Sequence, residues 1–186
     1  MFIKTQWPMK SSLSILLFCF FSLSFAQVRW MTIDQAITAQ KANPKKIIVD
    51  FYADWNTACK EMDNETFVHP EILKYLNDKF YIVKFNSEGD ETVNIYDRVF
   101  KNPEFQVKSK GKNGTHQFAK FMNINAYPTL IFLDENLQPI TNLVGKFTPK
   151  ELEPYLNMIA TNQYKSIKTR DQWENYQRKF KSKIKE

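Results

Sequence analysis

The run Lys46-Ile47-Ile48-Val49-Asp50-Phe51-Tyr52 is apolar apart from its first residue and one acid, and it reads as a buried strand. It breaks at Ala53-Asp54-Trp55-Asn56-Thr57, where the pattern turns from strand to helix. A strand buried along its length needs other elements packed over it, so this segment demands a layered core. The rest of the chain supplies the layers. Thr32-Ile33-Asp34-Gln35 is a capping box opening a helix to about Ala42, and Asn43-Pro44 ends it. Pro70 to Leu76 suggests a short helix, Phe80 to Phe85 a second strand, and Val93 to Val99 a helical pattern. Residues 101–116, with Pro103, Gly111 and Gly114 among lysines, look like an exposed insertion or hairpin. Thr129 to Leu133 and Ile140 to Val144 read as strands joined by an Asp134-Glu135-Asn136 turn. Thr148-Pro149-Lys150-Glu151 caps a final domain helix, which Pro154 is expected to bend early. Strands alternating with helices, then two adjacent strands and a helix, predict an α/β domain with a mixed central sheet flanked by helices.

Composition removes several functions. With 43% hydrophobic and 25% charged residues, the chain can build a core. Its four glycines, Gly89, Gly111, Gly114 and Gly145, form neither a dinucleotide-binding nor a phosphate-binding loop. The two histidines, His69 and His116, lie far apart without metal-ligand spacing, so no metal site is expected. His69 before Pro70 reads as a solvated helix start. Asn64-Glu65-Thr66 and Asn113-Gly114-Thr115 match a glycosylation pattern that matters only on a eukaryotic secretory route.

At the amino terminus, Lys4 and Lys10 precede an uncharged stretch, apolar from Leu13 to Phe25 and ending in Ser24-Phe25-Ala26. Residues 1–26 read as a cleavable signal peptide, with an uncleaved anchor as the rival reading. Cleavage would deliver an exported protein, periplasmic or extracellular, organised as residues 27–163 and a tail at 164–186. The tail holds eight basic and three acidic residues, whereas residues 27–163 carry 16 basic and 17 acidic ones. A basic tail on a near-neutral domain gives no ground for nucleic-acid binding. Trp173, Tyr176, Phe180 and Ile184 fall on one face of a basic amphipathic helix. That face either packs back on its own domain or meets a partner or an anionic membrane surface.

The segment Asp50-Phe51-Tyr52-Ala53-Asp54-Trp55-Asn56-Thr57-Ala58-Cys59-Lys60-Glu61-Met62 resembles the active-site segment of the thioredoxin superfamily, particularly the C-terminal domain of membrane thiol:disulfide interchange proteins. Ala126-Tyr127-Pro128-Thr129-Leu130-Ile131-Phe132-Leu133-Asp134 resembles that family's cis-proline loop and following strand. Lys84 stands where such proteins often carry a lysine. The resemblance implies a thioredoxin-like fold over roughly residues 28–162, with Asp50 and Lys84 as buried proton-transfer partners. Trp55, Tyr127, Pro128 and Thr129, with Asn56, Thr57 and Ala58, are then implied to line a groove for an extended polypeptide. Asp50 with Lys84 reads equally as a retained buried ion pair, Pro128 as a plain tight turn, and Trp55 and Tyr127 as partly buried core residues.

One departure governs function. The family motif is Trp-Cys-x-x-Cys, and here its first cysteine is Asn56. With Cys19 lost in the signal, the only cysteine left is Cys59, so no intramolecular disulfide can form and dithiol cycling by the mature chain alone is excluded. Asn56 suits a helix N-cap. The first helical turn favours a Cys59 thiolate, whereas burial and Asp50 oppose it. The expected function is a thiol-disulfide-related protein that binds an extended client or a partner, such as another exported thiol protein, without an organic cofactor. The alternative is a monothiol oxidoreductase or peroxide-reactive enzyme in which Cys59 relies on an external resolving thiol.

Overall fold

The computed structural model describes residues 27–107 and 112–185. Residues 1–26, which include Cys19 and are expected to be a signal peptide, residues 108–111 of the insertion, and residue 186 lie outside the described residues.

In chain order the elements are β1 (Trp30–Met31), α1 (Ile33–Ala42), β2 (Lys46–Tyr52), α2 (Thr57–Glu61), α3 (Pro70–Lys79) and β3 (Phe80–Asn86). There follow β4 (Val93–Ile95), β5 (Arg98–Phe100), α4 (Gln117–Phe121), β6 (Thr129–Leu133), β7 (Pro139–Val144), α5 (Pro149–Ala160) and α6 (Arg170–Lys179). Five strands make a mixed sheet in the order β1-β3-β2-β6-β7. The first three are parallel, and β6 and β7 run antiparallel to their neighbours. The apolar run 46–52 is the central strand, which is why both its faces are buried. Val49 and Phe51 face a core shared with α1, α4 and the β4–β5 hairpin, whereas Ile48 faces one shared with α3 and α5.

Both capping boxes read from the sequence are formed, at Thr32 with Gln35 and at Thr148 with Glu151. Two expectations change, at Val93 to Val99 and in the extent of the tail helix. Val93 to Val99 is a hairpin and not a helix. Val93 and Ile95 are buried around exposed Asn94, a two-residue period, and Tyr96 and Asp97 turn the chain with φ of 56° and 55°. The α5 helix runs unbroken past Pro154 to Ala160, held by buried Leu152, Leu156 and Ile159. The carbonyl of Pro154 meanwhile accepts from the Tyr176 hydroxyl at 3.1 Å.

The tail is helical only over α6. Phe180 is its C-cap, and the chain after it turns back, so that Ile184 joins Trp173 and Tyr176 against the α5 core without continuing the helix. Trp173 lies 4.5 Å from the Tyr155 ring, and Asn157 Nδ2 donates to Tyr176 Oη at 2.9 Å. The fully buried Glu153 carboxylate accepts from Ser182 Oγ and from the Lys183 backbone N–H. The aromatic face of the tail thus packs on its own domain.

Candidate functional site

The site forms where β2 ends. Its last turn is tied to the loop after β3 by Ser87 N–H donating to Tyr52 O at 2.8 Å and Asn86 Nδ2 donating to Asp54 Oδ2 at 2.9 Å. Asn56 is the N-cap of α2: its Oδ1 accepts from the Cys59 N–H at 3.0 Å. Asparagine satisfies an orphan amide at the position where a cysteine would stand in the resembled motif. Thr57 is exposed, Ala58 is half-buried, and Cys59 is buried at 2% exposure.

Beneath the thiol, Asp50 on β2 stands in register with Lys84 on β3. Lys84 Nζ donates to Asp50 Oδ2 at 2.8 Å and also to Asp63 Oδ1. Asp63 lies on a π-helical turn, Met62–Thr66, that continues α2. Three rings surround the ammonium, Trp30 and Tyr52 at 4.8 Å and Phe67 at 5.6 Å. Asp50 is 1% exposed and its Oδ1 has no partner. Burial pushes this carboxyl up to about 6, against the pull of the Lys84 charge. Burial works against the Lys84 ammonium as well, but the charges and hydrogen bonds of Asp50 and Asp63 hold its pKa above the ordinary lysine value. The Cys59 thiol is raised, first by burial and then by the Asp50 charge, although a backbone hydrogen bond at Ala53 pulls the other way. The opposition between helix start and burial is therefore decided for burial, and Cys59 is a protonated thiol at neutral pH.

Above the thiol, the Tyr127–Pro128 peptide bond is cis. Tyr127 is half-buried and packs edge-on to Trp55 at 6.0 Å, and Trp55 is 40% exposed. Pro128 is buried and its carbonyl accepts from the Gly145 N–H at 2.8 Å. Thr129 is also buried, with its hydroxyl turned to Ala126 O at 2.8 Å, so it offers a groove no side chain. The structure thus gathers Asp50, Lys84, Asn56 and Cys59 below one surface, with Trp55 and Tyr127 forming its aromatic part.

Several participants escaped the sequence reading. Asp63 follows Cys59 by four residues, a helical spacing that points both the same way and was a usable signal. Glu88 had none: Oε1 accepts from Trp55 Nε1 at 2.9 Å and Oε2 from the Asn113 N–H at 2.7 Å. Through it the 101–116 insertion returns to the site and places Lys112 Nζ 4.1 Å from the centre of the Trp55 ring. His116 is a buried N-cap of α4, its Nδ1 accepting from Phe118 N–H at 3.0 Å and its Nε2 2.7 Å from Glu91 O; burial lowers its pKa. No cluster of three metal-ligating side chains occurs among the described residues.

Residues 33–160, more than half of the chain, match the family model described as a thioredoxin-like domain. The chain belongs to the thioredoxin-like domain family. It is 28% identical over 129 residues to the thiol:disulfide interchange protein DsbD of Haemophilus ducreyi, covering 68% of this chain and 18% of that protein. This thioredoxin-like chain thus spans less than a fifth of the length of that relative. Among solved structures, a thioredoxin-fold protein from Helicobacter pylori aligns with a TM-score of 0.56 at 14% identity, covering 83% of this chain and 88% of that one. A thioredoxin from Thermus thermophilus aligns at 0.55 with 16% identity, covering 73% and 89%. These likenesses establish the fold and a relationship to DsbD. Among the described residues no helix is long and apolar enough to cross a membrane.

Proposed function

We propose that this protein is an exported, periplasmic member of the thiol-disulfide group that binds an extended polypeptide or a partner protein and does not cycle a dithiol. The observation that carries this reading is the pairing of Asn56 with Cys59. The position of the attacking cysteine is taken by an amide that caps the helix, and the one remaining thiol is buried and protonated. A thiolate is needed both to attack a disulfide and to react with peroxide, and burial withholds it. The surface around Trp55 and Tyr127 keeps exposed aromatic area and a backbone loop of the kind that receives an extended chain. Asp50 and Lys84 act here as a structural pair under the groove.

The test combines binding and turnover. Carboxymethylated, permanently unfolded ribonuclease is titrated into the protein and followed by backbone amide shifts, and insulin reduction is followed with glutathione present. Shifts at Trp55, Asn56 and Tyr127 that are the same in Cys59→Ser, with no insulin reduction above the glutathione background, are expected. Cys59-dependent turnover, or loss of the shifts in Cys59→Ser, would overturn the reading in favour of a monothiol enzyme.

A further inference from the structure

Strand β7 is an outer strand of the sheet, bonded to β6 and to no other strand among the described residues. Natural edge strands are commonly blunted by charge, proline or a bulge; here Pro139 and the irregularity at Phe132/Leu133 lie at the start of the strand, and Ile140-Thr141-Asn142-Leu143-Val144 beyond them carries no charge. Its pairing identifies the free backbone groups. Gly145 N–H donates to Pro128 O, and Leu143 and Thr141 continue that alternation against Leu130 and Phe132. In an antiparallel ladder the intervening residues, Asn142 and Val144, therefore direct N–H and C=O away from β6.

Both faces of this edge open into clefts that share Pro139 to Asn142 as a wall. On the α4 side a cleft of about 680 Å³ has Tyr96, Phe121 and Ile131 in its lining, with Arg98 stacked 5.4 Å from the centre of the Phe121 ring. On the α5 side a cleft of about 600 Å³ is lined by Tyr155 and Trp173 together with Lys168. Each cleft thus offers apolar surface and one exposed cation. Asp134, the acid lining the second cleft, has an oxygen engaged by the N–H groups of Asn136 and Gln138.

We infer that the β7 edge accepts a sixth strand from an extended, acidic and otherwise apolar polypeptide segment, whose alternate side chains enter the two clefts and whose carboxylates meet Arg98 and Lys168. Successive residues of a strand point to opposite faces, so one added strand reaches both clefts. Charge selects the occupant. Antiparallel pairing of β7 with a second copy uses a two-fold axis perpendicular to the sheet, which puts both Arg98 cations on one face and both Lys168 cations on the other. An acidic segment neutralises both. This surface is separate from the Trp55 groove, and its occupation does not depend on the state of Cys59.

The probe is a fluorescein-labelled hexapeptide, Glu-Val-Thr-Val-Leu-Glu, whose terminal acids fall on opposite faces of a strand; the control carries Lys at both ends. Expected results are anisotropy-detected binding at least tenfold tighter than the control, and slowed hydrogen exchange at the Asn142 and Val144 amides. Asn142→Pro, which removes an outward N–H and leaves the β6 ladder intact, should weaken binding tenfold or more. Arg98→Glu, far from the ladder, should abolish the preference for the acidic peptide and serves if the proline variant does not fold. No binding at 1 mM, equal affinity for the lysine control, or protection confined to Trp55 and Tyr127 overturns the inference. So does a dimer in sedimentation that Asn142→Pro dissolves.

Discussion

With its carboxyl 1% exposed and one oxygen unpartnered, Asp50 titrates near 6 in the fold, against 3.8 for the same group in water. Between roughly pH 4 and 6 the folded state therefore holds a proton that the unfolded chain has released. The stability this gives is fully present below the unfolded value and is lost as pH rises through the folded one. Two pKa units correspond to about 3 kcal/mol. Asp50→Asn should remove that loss, so urea denaturation at pH 4.5 and pH 8 should show wild type weakening by about 2 kcal/mol relative to the variant. Parallel stabilities at the two pH values would refute this. Cys59 obeys the same physics, since both groups are raised by burial. The sequence already held the ingredients at this scale: Asp50 inside an apolar run, Asn56 at a cap position and one thiol past residue 26. It did not hold the sum, because helix start and burial act on the thiol with opposite sign and only packing sets their ratio.

A five-residue helix has little stability of its own, and α2 depends on its cap and on the π turn that extends it. That extension carries Asp63 to Lys84, so the element after the candidate site also closes it from below. At the other end of the chain, the segment after α6 behaves as a strap. Deleting residues 182–186 strips Glu153 of the donors at Ser182 and Lys183, leaving a buried carboxylate without them. The expected cost is about 1–3 kcal/mol, or roughly 3–10 °C in a melting scan. Glu153→Gln in the shortened chain should recover part of the loss; an unchanged melting temperature on deletion would refute the strap. Element boundaries were legible where local chemistry marks them, as at Thr32, Asn56 and Thr148. The β4–β5 hairpin was not, because three-residue strands carry too few residues to separate a period of 2 from one of 3.6.

Across the molecule, charge is concentrated in a tail whose aromatic side is already occupied by α5. Membrane contact by this tail is left to its basic surface alone, which salt screens within about 10 Å at 0.1 M. A chain beginning at Gln27 should therefore cosediment weakly with phosphatidylglycerol vesicles and be released by 0.3 M salt. Retention at high salt would mean that the α6 aromatic face leaves the domain and inserts.

The central strand and the capped helices were determined by the sequence itself, since each follows from residues within a few positions of one another, and so was the single cysteine past residue 26. Only the tertiary structure decided that Lys84 serves two carboxylates, that Glu88 joins Trp55, 33 residues before it, to Asn113 of the insertion, 25 residues after it, and that the tail covers Glu153 across 29 and 30 residues. These contacts need particular strands to be neighbours and particular loops to return. That placement is fixed by the burial of whole faces, which no local pattern of side chains expresses.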